Sequence, residues 1–356
     1  MVSSEFLITA KNCVLPAALI LATTGLIFLP LKRLKKIAGL FIILFAVFEY
    51  AYFFNKYQPF APAKFVFPNH PVFQFLQTTG FDRYFGYDRA YVDSNFATYY
   101  RVFSPEGYDP LYMRRYGEFL ASSENKELSG VLSRSDAYVG KTDNANRQRV
   151  FDLLGIRTAI DKTDDPANDW GPDTEKFPDS QYQFIKQYSK WKFYERHTAL
   201  PRAFLAGNYE IIMGDDRIIS RFADPDFKPG ETVILETEPK IKPAPGGTHN
   251  VAIESYKPDK IIINTASDRP KLLFLSDNYY PGWKALVDGR QTEILRADYT
   301  FRAVAVPSGQ HNVVFIYDSV SFKTGLWVSL GTMGLLATIL LWTGRGNNAK
   351  AVRPKK

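Results

Sequence analysis

The residues best suited to chemistry lie close together near the C-terminal end of the chain. Two carboxylates, Asp277 and Asp288, flank a run that contains three large aromatic residues, Tyr279, Tyr280 and Trp283. A positioned pair of carboxylates could carry out acid–base catalysis. The aromatic side chains have a flat apolar face and a polar edge, which together suit stacking against a sugar ring. Catalysis and glycan binding are therefore the two chemical interpretations of this segment.

Each of these interpretations has a structural alternative. Asp288 precedes Gly289 between two strand-like runs, and Asp-Gly is typical of a tight hairpin turn because both positions need positive φ. Asp277 opens a cluster of turn-forming residues that continues to Gly282, and Asp commonly initiates turns. Turn formation explains both carboxylates better than catalysis does, so we predict no catalytic residue. The three aromatic residues remain candidate glycan-binding residues, with packing of the turn as the simpler alternative.

A second candidate site contains the arginines Arg83 and Arg89, which alternate with Asp82 and Asp88 in an aromatic segment. Arginine suits the bidentate binding of phosphate, so Arg83 and Arg89 are candidate ligands for the phosphate of a lipid carrier. An ordinary solvated cluster of ion pairs explains the same four residues more simply. Both interpretations stay open at this point.

The cysteine and histidine content argues against metal and redox chemistry. The chain has one cysteine, Cys13, which lies in an apolar run, and four histidines. One cysteine forms no internal disulfide, and no pattern of His and Cys with zinc-ligand spacing occurs. We therefore predict no metal site and no cofactor.

Three apolar runs predict membrane-spanning helices, at residues 12–31, 37–55 and 324–344. About 20 residues at a rise of about 1.5 Å each reach the ~30 Å thickness of a bilayer core. A signal peptide is the alternative for the first run. That run is long for a signal peptide, however, and basic residues and a second apolar run follow it. The fold-class prediction therefore includes three transmembrane helices.

The net charge of +7 reports membrane topology rather than a polyanionic partner. Nine basic residues flank the predicted spans, and removing them from the 44 Lys and Arg leaves 35 against 37 Asp and Glu. Cytoplasmic loops are rich in Lys and Arg, which places residues 55–323 outside the cytoplasm. We therefore predict a lipid bilayer as partner and no nucleic acid. The nine residues are Lys32, Arg33, Lys35, Lys36, Arg345, Lys350, Arg353, Lys355 and Lys356.

The predicted extracytoplasmic part divides into a small α+β region and an antiparallel β-sandwich. Helices are predicted at residues 71–79, 111–122 and 144–154, and Gly155 should end the last helix before a strand at 157–160. Later strands are short and separated by turn residues, as in a sandwich. The last of them, at 272–275, 283–287, 292–297, 301–306 and 311–317, are predicted to form a meander. The strand at 313–317 is apolar on both faces and is predicted to be central.

The resulting domain prediction has five parts. Residues 12–55 hold two transmembrane helices with a basic cytoplasmic connector, and residues 56–193 form the α+β region. Residues 194–323 form the β-sandwich, residues 324–344 the last transmembrane helix, and residues 345–356 a basic cytoplasmic tail. Arg202, near the start of the sandwich, is predicted to anchor the junction by pairing with a carboxylate.

The C-terminal motif resembles the C-terminal region of YfhO-type bacterial membrane proteins. The specific part is the Tyr-Pro-Gly-Trp stretch at 280–283 with the Asp-Gly turn that follows it. Weaker landmarks occur upstream in the same order, at residues 107–111, 152–157 and 199–204. The resemblance covers about residues 73–342 and implies a multi-pass protein of the bacterial cell membrane.

Proteins of the YfhO family look like GT-C glycosyltransferases, which move a sugar from a polyprenyl-phosphate carrier to a cell-wall or surface polymer. Their catalytic acids lie in an early extracytoplasmic loop, and no position here matches that loop. The resemblance therefore implies the C-terminal, non-catalytic half of such an enzyme. The alternative is a free-standing, membrane-anchored carbohydrate-binding or scaffolding module that partners a separate polytopic subunit. An autonomous enzyme is a third, weaker interpretation.

Overall fold

The computed structural model describes residues 2–28, 35–58, 62–128 and 132–351. It is a mixed α+β fold with several β-sheets, one of them curled into a half-barrel. Two units can be distinguished, Met1–Asn69 and His70–Lys356.

The first unit is helical and consists of α1 (Val2–Phe28), α2 (Lys35–Tyr57) and α3 (Ala63–Val66). Within α2, Gly39–Tyr57 is long and apolar enough to cross a membrane, which agrees with the second predicted span. The apolar stretch of α1, Cys13–Gly25, is shorter than a span. The end of the first predicted span, at residues 29–31, lies outside the described residues, as do Lys32 and Arg33 of the basic connector. The first span stays a prediction.

The second unit begins with helices and a four-stranded sheet. The helices are α4 (Pro71–Leu76), α5 (Ser94–Tyr100), α6 (Arg114–Asn125) and α7 (Ala145–Leu153), and the sheet contains β1 (Arg83–Gly86), β4 (Ile156–Lys162), β5 (Tyr182–Tyr188) and β6 (Trp191–Arg196) in the order β1-β4-β6-β5. A separate ribbon pairs β2 (Gly107–Tyr108) with β3 (Asp136–Ala137). The predicted helix at 111–122 begins later, at Arg114.

The predicted helix–glycine–strand unit is confirmed. The side chain of Asn144 accepts hydrogen bonds from the backbone N–H groups of Asn146 and Arg147, which caps the start of α7. Gly155 adopts a φ of +65°, a conformation that glycine reaches at no steric cost. The strand β4 begins at the next residue.

Two further sheets form the C-terminal part of this unit. One has six strands, β7 (Ala203–Ala206), β12 (Lys271–Asn278), β16 (Phe301–Val306), β15 (Leu295–Ala297), β9 (Thr232–Leu235) and β8 (Asn208–Ile211), in that order. The other has five, β10 (His249–Tyr256), β11 (Lys260–Ser267), β17 (Gly309–Tyr317), β13 (Trp283–Val287) and β14 (Arg290–Thr292). Both sheets contribute to one apolar core, for example with Leu273 from β12 and Phe315 from β17.

The predicted meander is wrong. The chain crosses three times between the two sheets. The strand β12 belongs to the six-stranded sheet, β13 and β14 to the five-stranded sheet, β15 and β16 to the six-stranded sheet, and β17 to the five-stranded sheet. Crossing between the sheets lets apolar residues of neighbouring chain segments meet in the core between them. The central position of β17 is confirmed, since it lies between β11 and β13.

The predicted antiparallel β-sandwich does not account for one pair of strands. The strands β8 and β9 pair in parallel, and the helix α8 (Asp215–Ala223) connects them. A parallel pair needs such a crossover, because a tight turn cannot return the chain to the same end of the sheet. The helix buries Ile218, Ile219 and Phe222.

The chain ends in a long helix, α9 (Val320–Ala351), which begins three residues after β17. Its segment Val320–Trp342 is apolar and long enough to cross a membrane, and it contains most of the predicted span at 324–344. Arg353, Lys355 and Lys356 of the predicted basic tail lie outside the described residues.

The main core of the second unit draws on both predicted extracytoplasmic regions. It joins Phe85, Phe119 and Phe151 from the first region to Phe274 and Phe301 from the second. The predicted boundary at residue 194 falls within β6. The domain boundaries themselves stay a prediction.

Candidate functional site

Asp277 lies in a strand and not in a turn, which corrects the prediction from the sequence. It occupies the end of β12, where the pairing with β16 shifts register between Leu275 and Asn278. Its carboxylate accepts hydrogen bonds from Arg202 Nη2 at 2.9 Å, Arg302 Nη2 at 3.2 Å and Arg83 Nη2 at 3.3 Å. The hydroxyl of Tyr256 donates to the same carboxylate at 2.8 Å. We call these five residues the Asp277 cluster.

The three arginines of the Asp277 cluster are buried, and the cluster carries one carboxylate against three guanidinium groups. Burial alone would raise the pKa of Asp277, but Arg202, Arg302 and Arg83 outweigh burial and hold the pKa well below its usual range. The carboxylate is therefore ionised throughout the physiological pH range.

The cluster connects the three larger sheets of the second unit. Arg83 comes from the four-stranded sheet, Arg302 and Asp277 from the six-stranded sheet, and Tyr256 from the five-stranded sheet. Arg202 precedes β7, and its predicted pairing with a carboxylate is confirmed, with Asp277 as the partner. These contacts indicate a structural role for the cluster.

The two candidate lipid-phosphate residues have opposite surroundings. Arg83 is buried, and it also donates to the carbonyl oxygens of Leu154 at 2.5 Å and Ser276 at 2.6 Å. The side chain of Arg89 is 71% exposed and pairs with Asp164. Lipid-phosphate binding by Arg83 and Arg89 stays a prediction. The alternative of a solvated ion-pair cluster is wrong for Arg83, because its side chain is buried and its charged partner is Asp277.

The three candidate glycan-binding aromatics also differ in exposure. The guanidinium of Arg296 lies 4.7 Å from the centre of the Tyr279 ring. Trp283 packs against the core between the sheets, and the Arg302 guanidinium lies 4.0 Å from its ring. Tyr280 has 48% of its surface exposed. Glycan binding by these three residues stays a prediction, for which Tyr280 offers the most accessible ring.

The prediction of a hairpin turn at Asp288 is confirmed. Asp288 and Gly289 have φ values of +50° and +78°, and they connect β13 to β14. The Asp288 carboxylate lies 2.6 Å from His311 Nδ1 and accepts the backbone N–H of Asn312 at 2.9 Å. Asp277 and Asp288 thus have separate sets of partners, as expected for structural carboxylates.

A cavity that the sequence did not predict lies beside the two-stranded ribbon. It has a volume of about 710 Å³, and we call it the ribbon cavity. Two tyrosine rings line it with about half of their surface exposed, Tyr91 at 53% and Tyr138 at 49%. The remaining lining comprises Phe85, Gly86, Tyr87, Asp88, Glu106, Gly107, Asp136, Ala137, Val139, Gly140, Lys141, Asp143, Arg147 and Lys176.

Two glycines allow the walls of the ribbon cavity to pack closely. A Cβ atom on Gly86, at the end of β1, would lie 2.2 Å from the carbonyl oxygen of Ala90. A Cβ atom on Gly140 would lie 2.5 Å from the Cβ of Glu124 on α6. Neither position has room for a side chain, so glycine is required at both.

Two of the three cations that line the ribbon cavity, Arg147 and Lys176, are held in its wall, and the third, Lys141, is exposed. Arg147, on α7, is buried, and its guanidinium lies 5.3 Å from the ring centres of both Phe85 and Tyr87. Lys176 Nζ donates to Asp88 at 2.8 Å and to Asp161 at 2.7 Å. The hydrogen bond from Lys176 lowers the pKa of Asp88. Positive and negative groups thus largely offset one another.

Glu106 differs from the other carboxylates of the cavity. Its side chain accepts the backbone N–H of Val139 at 3.1 Å, and burial raises its pKa to about 7. A second cavity, of about 440 Å³, shares Glu106, Gly107 and Ala137 in its lining and extends to the Asp277 cluster. Near neutral pH, Glu106 can therefore donate or accept a hydrogen bond toward a ligand in either cavity.

The ribbon cavity suits a neutral polar ring better than an ion or a purely apolar molecule. It combines accessible aromatic faces with several hydrogen-bonding groups, and its charges are nearly balanced. In the sequence, Gly107 and Tyr108 belong only to a weak landmark of the family resemblance. A signal that could have been noticed is the clustering of tyrosine and acidic residues in the segments that build the cavity.

Comparison with known proteins supports the resemblance seen in the sequence. The family model described as "Bacterial membrane protein YfhO" matches residues 246–329, from the loop just before β10 into α9. Searches of curated proteins and of solved structures gave no match. Together with the two apolar helices long enough for membrane spans, the family match makes membrane association plausible. Over residues 246–329 the chain therefore matches the YfhO family of bacterial membrane proteins, as predicted.

Proposed function

We propose that this protein is a membrane-anchored glycan-binding component and that the ribbon cavity holds the sugar. The observation that carries the proposal is the pair of half-exposed tyrosine rings, Tyr91 and Tyr138, in a cavity rich in hydrogen-bonding groups. The role is binding rather than catalysis, and we assign no catalytic residue.

The dimensions and chemistry of the cavity support this proposal. Its volume of about 710 Å³ falls within the range of about 300–1,000 Å³ that is typical of small-molecule sites. Apolar ring faces with polar edges match the alternating faces and hydroxyls of a sugar. Asp136 and Lys141 add an acceptor and a donor at the wall.

The family resemblance suggests the larger process. The parent reaction would be the transfer of a sugar from a polyprenyl-phosphate carrier to a polymer of the cell envelope, outside the membrane. In this proposal the chain supplies the non-catalytic half, which faces the acceptor. The alternative proposal is a free-standing carbohydrate-binding or scaffolding module that assembles with a separate polytopic subunit.

Calorimetric titration of the full chain in detergent with soluble oligosaccharides from cell-envelope polymers tests the binding proposal. We expect Tyr138→Ala to weaken binding about tenfold, because it removes a stacking face worth roughly 1 kcal/mol or more. Tyr188→Ala is the matched control, because Tyr188 is similarly exposed but lies on β5 outside the cavity lining. Equal affinities of the two variants would contradict the assignment.

The same titration compares the two candidate glycan sites. Tyr280→Ala should leave the affinity unchanged if the ribbon cavity is the site. A loss with Tyr280→Ala, and none with Tyr138→Ala, would move the site to the turn at 280–283. Binding by the chain alone favours a free-standing module, whereas binding only after addition of a polytopic subunit favours half of a divided enzyme.

A further inference from the structure

The Tyr-Pro-Gly-Trp turn packs against the last residue of β17, just before the chain enters α9. The Tyr280 and Trp283 rings lie 6.3 and 5.5 Å from the Tyr317 ring, measured between centres. Gly282 has a φ of +99°, and a Cβ atom there would approach the Tyr317 ring to 3.0 Å. The backbone N–H of Asp318 donates to the carbonyl oxygen of Gly282 at 2.7 Å. Glycine thus permits the turn to close over Tyr317.

Asp318 joins this turn to the first residues of α9. Its carboxylate accepts hydrogen bonds from Lys284 Nζ at 2.7 Å and from Lys323 Nζ at 2.5 Å. These two contacts lower the pKa of Asp318 to about 2, and the contact with Lys284 has the larger effect. Because Lys284 lies on β13 and Lys323 on α9, the carboxylate connects the five-stranded sheet to the apolar helix.

The side chains around this junction have the composition of a membrane interface. Tyr280, Tyr317 and Phe322 are all exposed, and two lysines accompany them. Tyrosine is enriched where a protein crosses the boundary between lipid and water, and lysine extends its ammonium toward the headgroups. An exposed aromatic group beside an apolar span is therefore best accounted for by lipid.

The short distance along the chain between Tyr317 and the apolar segment of α9 also agrees with a position of Tyr317 in the headgroup layer. Val320, where the apolar segment begins, is three positions after Tyr317, and an extended chain covers at most about 10 Å in that length. The headgroup layer adds roughly 5–8 Å on each side of the hydrocarbon core. A helix that crosses the bilayer from Val320 therefore brings Tyr317, and Tyr280 beside it, to headgroup depth.

We propose that the turn at 280–283, together with Tyr317, Lys284 and Lys323, is a surface that rests in the headgroup layer of a phospholipid bilayer. The tyrosine rings lie among the headgroups, and the lysines face their phosphates. This surface fixes the height and tilt of the five-stranded sheet above the membrane. The inference is independent of the proposed glycan binding.

Depth measurement by spin labelling of the full chain tests this proposal. In a Cys13→Ser background, single cysteines are introduced by Tyr280→Cys, Gln310→Cys and Phe322→Cys and labelled with a nitroxide. The protein is placed in nanodiscs of phosphatidylethanolamine and phosphatidylglycerol. Power saturation with oxygen and with a water-soluble nickel chelate then reports the depth of each label. Gln310 is the matched control, because it is exposed at the opposite end of β17.

We expect the label at position 280 to read headgroup depth and the label at position 310 to read bulk water. Equal access of the nickel chelate to positions 280 and 310 would overturn the proposal. A water-exposed label at position 322 would also overturn it, because α9 would then not enter the bilayer at Val320. Unchanged unfolding temperatures of the labelled variants show that each retains the fold.

Discussion

The Asp277 cluster and the ribbon cavity are built from the same residue types but differ in how their polar groups are used. In the cluster, three buried arginines and a tyrosine converge on one carboxylate. In the cavity, the Arg147 guanidinium and the Lys176 ammonium are retained in the wall, while half-exposed tyrosine rings and Glu106 face the open space.

This difference shows that charge density alone does not identify a binding site. Converging arginines suggest an anion site, yet Arg83 and Arg202 already donate to internal acceptors. A ligand would have to compete with those contacts. The cavity, by contrast, offers volume and accessible groups without breaking any contact of the fold.

The largest expected effect comes from removing the central carboxylate. Asp277→Ala leaves three guanidinium groups buried without their shared partner, and we expect a loss of about 3–5 kcal/mol in the free energy of unfolding. Denaturant unfolding of the full chain in detergent measures this. Asp259→Ala, at an exposed position, is the control and should change stability little. A loss below about 1 kcal/mol would show that the cluster is not the main connection between the sheets.

A second carboxylate, Asp298, is buried without a cationic partner among the described residues. It can therefore be compared with Asp277, which has three. Asp298 Oδ1 accepts the backbone N–H of Ile234 at 2.7 Å, and burial raises the pKa of Asp298 to about 7. A raised pKa means that the folded state binds the proton more tightly than the unfolded state. The contribution of the Asp298 proton to the free energy of unfolding is therefore fully present below about pH 4. This contribution is lost as the pH rises through 7.

Asp298→Asn should remove this loss. We expect the variant to gain about 2 kcal/mol over the wild type between pH 5 and pH 8. Asparagine tolerates the φ of +40° at this position, so backbone strain should not mask the gain. Unfolding at the two pH values measures it, and parallel pH profiles of variant and wild type would contradict it.

An intermediate effect is expected from removing one of the three cations. Arg302→Met should cost about 1–2 kcal/mol, less than Asp277→Ala, because Asp277 keeps Arg83 and Arg202. The Arg302 atoms Nε and Nη1 are buried without a hydrogen-bond partner among the described residues, which further reduces the cost. Arg290→Met, at an exposed position, is the matched control. A cost for Arg302→Met equal to that of Asp277→Ala would show that the three cations act as one unit.

The smallest effect concerns Glu106 and depends on the proposed glycan binding. If the neutral acid donates to a ligand hydroxyl, wild-type affinity should fall about threefold between pH 6 and pH 8 as Glu106 ionises. Glu106→Gln keeps a donor at all pH values and should bind with a flat pH profile. Titrations at both pH values provide the measurement, and a flat wild-type profile would argue against a role for Glu106.

Much of the local structure could be predicted from the sequence because it depends on neighbouring residues. The helix that ends just before Gly155, the Asp288–Gly289 turn and the apolar strand at 313–317 are examples. Each follows from capping, from a backbone conformation that few residues adopt, or from the pattern of apolar residues. The same reasoning identified the C-terminal apolar helix.

The candidate site could not be predicted in this way. Arg83 and Asp277 are separated by 194 positions, and no local pattern reports which distant side chains will meet. The sequence therefore suggested a turn for Asp277, and either a solvated ion-pair cluster or a lipid phosphate for Arg83. The ribbon cavity could not be predicted for the same reason, since its walls come from separate chain segments that converge only after packing.

The sequence by itself determined many of the secondary elements, two apolar helices long enough to span a membrane and the resemblance of residues 246–329 to the YfhO family, because these depend on local composition and order. Only the tertiary structure decided which strands share a sheet, what Asp277 binds and where a cavity opens. The physical reason is that burial and pairing between distant segments set the charge state and accessibility of each side chain.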